Sequence, residues 1–365
     1  MISLLDLLRS KILKLSLKVG GLQYLFFNRA GRVFVLFLSA ILFYLATSLF
    51  FPLWVLLIGP IIWGVPHLIA SLRYSTQTLN LKSIQKVSVQ KIHLVLWTLV
   101  FLYRFFNDVI GYPLFLSQFP LLFEALALTL AAAVQIYLVK KNISLREFFE
   151  MEFLKSLFSI SFSAFVVAMI YLYPIQTSLT ALIGHNYLPL FFWYKSCSTK
   201  EDLKVFALSA GIFILASIAI YSGWFVGIYH WLAPQGHIGF LNWDYSEIIS
   251  PYVSEELDYQ FWYRIVSLYA FSQALHYFMW LKAIPENYQK HSHPPSFRSS
   301  ISMLQNEFGS GAISVLLLFC LIGISLWALL EFQSARLFYF SLASYNGFME
   351  LSAIAFVKGR VKKKE

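Results

Sequence analysis

The sequence predicts an all-α, polytopic integral membrane protein of about ten transmembrane helices. Three observations lead there. Of the 365 residues, 59% are hydrophobic and 13% are charged, against about 25% charged in an ordinary soluble domain. The apolar runs recur and reach about 20 residues, the length that crosses a bilayer as a helix. The basic residues gather in short connections between those runs, where topology in a membrane places them.

The runs predict spans at 32–51, 53–72, 92–112, 117–139, 155–173, 178–195, 205–228, 260–282, 310–331 and 337–357. Residues 32–357 therefore read as a single helical bundle, with a basic tail at 358–365. Ahead of it, Leu4, Leu5, Leu8, Ile12 and Leu15 recur at helical spacing among Arg9, Lys11, Lys14 and Lys18. Segment 1–31 is expected to include an amphipathic helix on the inner leaflet, its cations facing anionic headgroups. The same cations interrupt any apolar core that a signal peptide would need. The other reading of this segment is one more, weaker span.

Under this topology every Lys and Arg except Arg104, Arg264 and Arg336 falls on one side. The positive-inside rule makes that side the cytoplasm and puts both termini there, in a bacterial-type inner membrane. Connection 229–259 is outside; it has no Lys or Arg and carries Asp244, Glu247, Glu255, Glu256 and Asp258. The net charge of +10 is thus a topological signal. No glycine-rich phosphate loop or separate soluble domain supports a nucleic-acid partner, and membrane lipids are the expected surroundings. Two cysteines, Cys197 and Cys320, lie in different segments, so neither a disulfide framework nor a zinc ribbon is indicated.

Hydrocarbon offers no water, so a polar side chain within a span must find a partner or some other use. Four ionisable residues stand out: His67, His185, His276 and Glu350. All are on even-numbered spans, which run from outside to inside. His67 precedes Arg73 by six residues and His276 precedes Lys282 by six. Glu350 precedes Lys358 by eight and His185 precedes Lys195 by ten. At about 1.5 Å per residue the four share a depth band about 6 Å wide, in the inner half, with His185 nearer the middle. Sequence does not show that their spans are neighbours.

Polar neighbours accompany each. Trp63, His67 and Ser71 are spaced i, i+4, i+8; Ser272 and Gln273 precede His276 by four and three; Asn346 and Glu350 are i, i+4; Asn186 follows His185. Such groups could orient metal-bound imidazoles. Pro66 removes a helix hydrogen bond next to His67. Three histidines and a carboxylate suit Fe(II) with an open position for oxygen chemistry. The plainer reading is four separate hydrogen-bonded packing residues, since no span holds a tightly spaced ligand pair.

Other groups admit blander explanations. Arg104, Asp108 and Glu124 read as a charge-neutralising cluster tying spans 3 and 4 together, with an ion or proton relay as the alternative. His230 and His237 beside the outer loop, and the HSHPPS stretch at 291–296, read as solvated. His93 reads as interfacial, and both cysteines as inert thiols.

The stretches GVPHLIASLRY, GHNYLPLFFWY and SQALHYFMWLKAIPE resemble bacterial Brp/Blh-type carotenoid (beta-carotene) dioxygenases. The resemblance covers short patches. GVPH is similar to that family's Gly-x-Pro-His and falls on His67, while Leu68, Ile69, Ala70 and Ser71 follow where the family has a glycine and an acidic residue. His185 and His276 stand roughly where the family has histidines. The resemblance implies a multispan membrane protein that binds iron through intramembrane histidines and cleaves a carotenoid.

Together these readings lead to an expected non-haem iron oxidoreductase acting on an apolar lipid or isoprenoid. His67, His185 and His276 would be ligands, with Glu350 a ligand or nearby base. Ser71, Asn186, Ser272, Gln273 and Asn346 would orient them. Three alternatives remain at this point: haem electron transfer with two axial histidines, a proton-coupled transporter with broken helices at midplane, and a non-catalytic membrane protein.

Overall fold

The computed structural model describes residues 27–78, 83–111, 183–232, 259–288 and 330–356, with scattered single residues besides. Among these there are helices and no strand. Spans 117–139 and 155–173, nearly all of 310–331, the basic tail and most of the N-terminal segment lie outside the described residues. So do His237, residues 291–296 and Cys320.

Helix α1, Arg29–Phe50, starts where the Asn28 side chain accepts a hydrogen bond from the Gly31 amide, satisfying one of the free donors of a helix start. Pro52 opens α2, Pro52–Gly59, at the first helical position, where its missing N–H costs nothing. A π-helical turn, Pro60–Gly64, follows and leads directly into α3, Val65–Thr78. The chain thus stays helical through Pro60 and Pro66, and the irregularity they impose is a widened turn. Helix α4, Ser83–Arg104, ends in a second π turn, Phe105–Val109.

After a 3-10 turn at His185–Tyr187 come α5, Leu188–Ser196, α6, Lys200–Tyr221, and α7, Val226–Leu232. Helix α6 begins with a capping box: Thr199 accepts from the Asp202 amide and Asp202 from the Thr199 amide, so two free donors are satisfied reciprocally. Helix α8, Tyr259–Phe278, runs into a π turn, Met279–Ala283, and the short α9, Ile284–Tyr288. The last is α10, Phe332–Phe356.

Among the described residues, three segments are long and apolar enough to cross a membrane: Arg29–Phe50, Pro52–Ser75 and Lys200–Tyr221. On them Leu42, Phe43, Ile62, Leu208 and Leu215 are exposed, as a lipid-facing surface requires. Helix α8 is the axis of the described bundle and packs against α1, α2 and α6. Its buried face includes Val266, Ala270, Phe271 and Leu275. On the other side α10 packs against α3 and α4, with Leu68, Leu72, Trp97, Tyr345 and Met349 between them.

Two ion pairs anchor the start of α1 to distant parts of the chain. Arg29 reaches both carboxylate oxygens of Asp202 at 2.7 Å. Arg32 reaches Glu286 at 2.7 Å, and Lys282 meets the other Glu286 oxygen at 2.7 Å. Burial pushes the Glu286 carboxyl up, but the hydrogen bond from Arg32 and the charges of Lys282 and Arg32 outweigh it and hold it below the ordinary range. Asn287 donates to Ser196 at 3.0 Å alongside, joining α9 to α5.

Candidate functional site

Four separate parts of the chain bring His67, His185, His276 and Glu350 together. Helix α3 carries His67 just after the π turn; the 3-10 turn carries His185; α8 carries His276 near its end; α10 carries Glu350. The His67 and His276 rings lie 5.1 Å apart, centre to centre, and the His185 and His276 rings 5.2 Å apart. Nε2 of His276 is 4.0 Å from a Glu350 oxygen. His276 is therefore the hub. It and Glu350 are 0% exposed and His67 is 3%, while His185 is partly exposed.

Several polar atoms here lack hydrogen bonds of good geometry. They are Nδ1 of His67, both ring nitrogens of His276 and Oε2 of Glu350. The carbonyls of Gly64 and Trp63 face the His67 ring, and those of Asn186 and His185 face His276. The Gly64 and Trp63 carbonyls belong to the end of the π turn, Pro60–Gly64, that leads into α3.

The polar neighbours named from the sequence are buried, and their partners are specific. Ser71 donates to Oδ1 of Asn346 at 2.6 Å, and Asn346 donates to Oε1 of Glu350 at 2.6 Å. These two residues orient the carboxylate. Asn186 donates to Ser272 at 2.9 Å, which fastens the His185 turn to α8. Gln273 donates to the Tyr277 hydroxyl at 2.8 Å. Ser272 and Gln273 thus meet Asn186 and Tyr277, the neighbours of His185 and His276.

Asn346 is the joint of the carboxylate chain, and its removal has a definite cost. Asn346→Leu leaves the Ser71 hydroxyl and Oε1 of Glu350 without their partner. Each buried group so stranded costs about 1–3 kcal/mol. A lowered thermal midpoint in detergent is expected, and an unchanged midpoint would show that the chain carries no structural weight.

Residues that sequence reasoning missed fill the remaining walls. Tyr277 packs its ring 4.5 Å from His67, and its hydroxyl meets that of Tyr339 at 2.8 Å. Tyr277 directly follows His276, yet a tyrosine in an aromatic-rich chain carries no distinguishing signal.

The other predicted groups do not join this cluster. Arg104 ends α4 and Asp108 falls in the π turn beyond it. The Asp108 side chain and Glu124 lie outside the described residues, so the predicted charge cluster is not placed. His93, expected at an interface, is fully buried, with Nδ1 2.8 Å from the Tyr345 hydroxyl. The reason is α4 itself, which begins at Ser83 and packs this part of its length against α10. His230 is exposed and contacts Gln260 at 3.2 Å. Cys197 is buried against the Trp193 carbonyl and Asn287.

Three imidazoles and one carboxylate are a donor set of the kind iron takes, and Nδ1 of His67 and both ring nitrogens of His276 lack a hydrogen bond of good geometry. The rings stand edge to face. Among the described residues no three His, Cys, Asp or Glu side chains already converge as metal ligands. Shared ligation would require the imidazoles to turn about their own side-chain bonds. Comparison with family models, curated proteins and solved structures returns no match to this chain.

Proposed function

We propose that the chain is an intramembrane non-haem iron oxidoreductase, dioxygenase-like, acting on an apolar lipid or an isoprenoid such as a carotenoid. One observation carries the reading. Three imidazoles and a carboxylate from four separate segments meet, His185 at the more exposed edge, and several polar atoms of His67, His276 and Glu350 lack a hydrogen bond of good geometry. Leaving such atoms unpaired costs free energy that packing does not recover, and in a membrane protein they mark function by default.

In this reading His67, His185 and His276 hold iron, with Glu350 as a ligand or a base beside it. Iron bound there supplies oxygen activation at an open coordination position. The chain's own residues do the rest. Asn346 engages Oε1 of Glu350 and leaves Oε2 to accept or return a proton. Phe271, Leu275 and Trp280, all fully buried on the hub segment, exclude water. His185 is the most exposed of the four, beside the exposed Gly184, so an apolar substrate approaches from that side.

Two alternatives have less support. In the haem reading two axial imidazoles sandwich a porphyrin, yet the ring pairs here are in direct contact at 5.1 and 5.2 Å. For a transporter with broken midplane helices, the path stays helical through Pro60 and Pro66, and the 3-10 turn before Pro189 carries His185 of the histidine cluster.

The test is aerobic incubation of purified, iron-supplemented protein with polyene isoprenoids or unsaturated lipids in mixed micelles. Oxygen uptake and product mass are followed. Lipid-dependent uptake that chelation abolishes is expected. Absence of uptake and of oxygenated product with both lipid classes would overturn the proposal.

A further inference from the structure

Gly64 closes the π turn, and Tyr339 of α10 lies directly over it. A Cβ at position 64 would clash with the Tyr339 ring. The glycine is there for space, since its backbone is helical. One turn earlier the Tyr277 ring lies 3.4 Å from where a Cβ on Gly59 would stand. Two tyrosines from different helices therefore rest on one side of the same helical segment. Their hydroxyls meet at 2.8 Å, and Gln273 donates to Tyr277 from one turn away. Both rings are almost fully buried. The free face of the Tyr277 ring lies against the His67 imidazole at 4.5 Å.

Each link constrains the next. A buried tyrosine hydroxyl needs a partner, and each of these is held by the other. The glycine permits the approach that makes the pairing reach. The held ring then fixes which way the His67 imidazole can turn, and so presets the direction of the rotation that ligation at this cluster would require.

We infer that Gly64 and Tyr339 are positioning residues for His67, acting through Tyr277. The inference rests on the iron reading for its purpose, though the contact itself does not. Outer partners of metal-binding histidines fix ring orientation, and their loss lowers metal affinity by about 10- to 100-fold.

The test uses full-length protein with isotope-labelled histidine in detergent micelles. The His67 ring signal is identified by its loss in His67→Gln. Tyr339→Phe removes one oxygen and keeps the ring. It is expected to shift or broaden the His67 signal and leave that of His93 in place. Tyr345→Phe removes a buried hydroxyl from the same helix and should do the reverse. Gly64→Ala, which must displace Tyr339, should move His67 at least as far as Tyr339→Phe; if it fails to fold, Tyr339→Phe carries the test. Iron titration of Tyr339→Phe is expected to show affinity about tenfold lower or more. A His67 signal unmoved in Tyr339→Phe overturns the inference, whether or not iron binds. A shifted signal in a protein that binds no iron upholds the positioning and overturns the iron reading instead.

Discussion

Replacing His276 with alanine is expected to leave the chain inserted in the membrane and without bound iron. His276 is the hub, in ring contact with both other histidines and 4.0 Å from Glu350. Removing it separates the remaining donors as well as deleting one. The expected change is from about one iron per chain, the content of a mononuclear site, to almost none. His93→Gln provides the control, because His93 is as deeply buried but pairs with Tyr345. It should cost stability and keep the metal. Equal metal loss in both variants would mean that general loosening of the bundle, and not the cluster, governs retention.

The largest stability effect is expected at Glu286. This carboxylate is fully buried and contacts both Arg32 and Lys282 at 2.7 Å. Glu286→Leu strands the buried Arg32 charge, and breaking a buried ion pair from one side costs about 3–5 kcal/mol. Arg32→Met should cost less, because the more exposed Lys282 still serves Glu286. The pH dependence has a definite sign. The folded pKa of Glu286 lies below its ordinary value, because Arg32 and Lys282 together outweigh the effect of burial. The pair therefore stabilises the fold above the ordinary glutamate pKa, and this contribution is lost as pH falls through the lowered one. Unfolding midpoints in detergent should drop more steeply on acidification in the wild type than in Glu286→Gln. Parallel curves would remove Glu286 from the account.

How much of this was legible in the sequence follows from the physics of each feature. The all-helical class was legible because apolar length and flanking charge are local properties. Three of the described segments are long and apolar enough to cross a membrane; predicted spans 92–112, 260–282 and 337–357 fall on described helices that are not among those three, and 117–139 and 155–173 lie outside the described residues. The depth of His67, His276 and Glu350 could be counted from the next basic residue. Lateral neighbours could not, because nothing in a helix's own periodicity says which helix lies beside it. The partners of Ser272 and Gln273 were not legible for that reason: i, i+4 and i, i+3 spacing gives a shared face, and Asn186 and Tyr277 are what the two side chains meet. The need for a glycine at position 64 is set by Tyr339 of another helix, which its own neighbours in sequence do not reveal. The ion pair between Arg32 and Glu286 joins residues 254 apart, and no local pattern links two charges so distant in the chain.

The central claim is that the histidine cluster holds iron. The most direct measurement is metal content by mass spectrometry after purification in mild detergent, with the visible spectrum of the same sample. About one iron per chain and no Soret band is the predicted result. A protein that stays free of metal after iron supplementation, while remaining folded, would contradict the account and return His67, His185 and His276 to the role of packing residues.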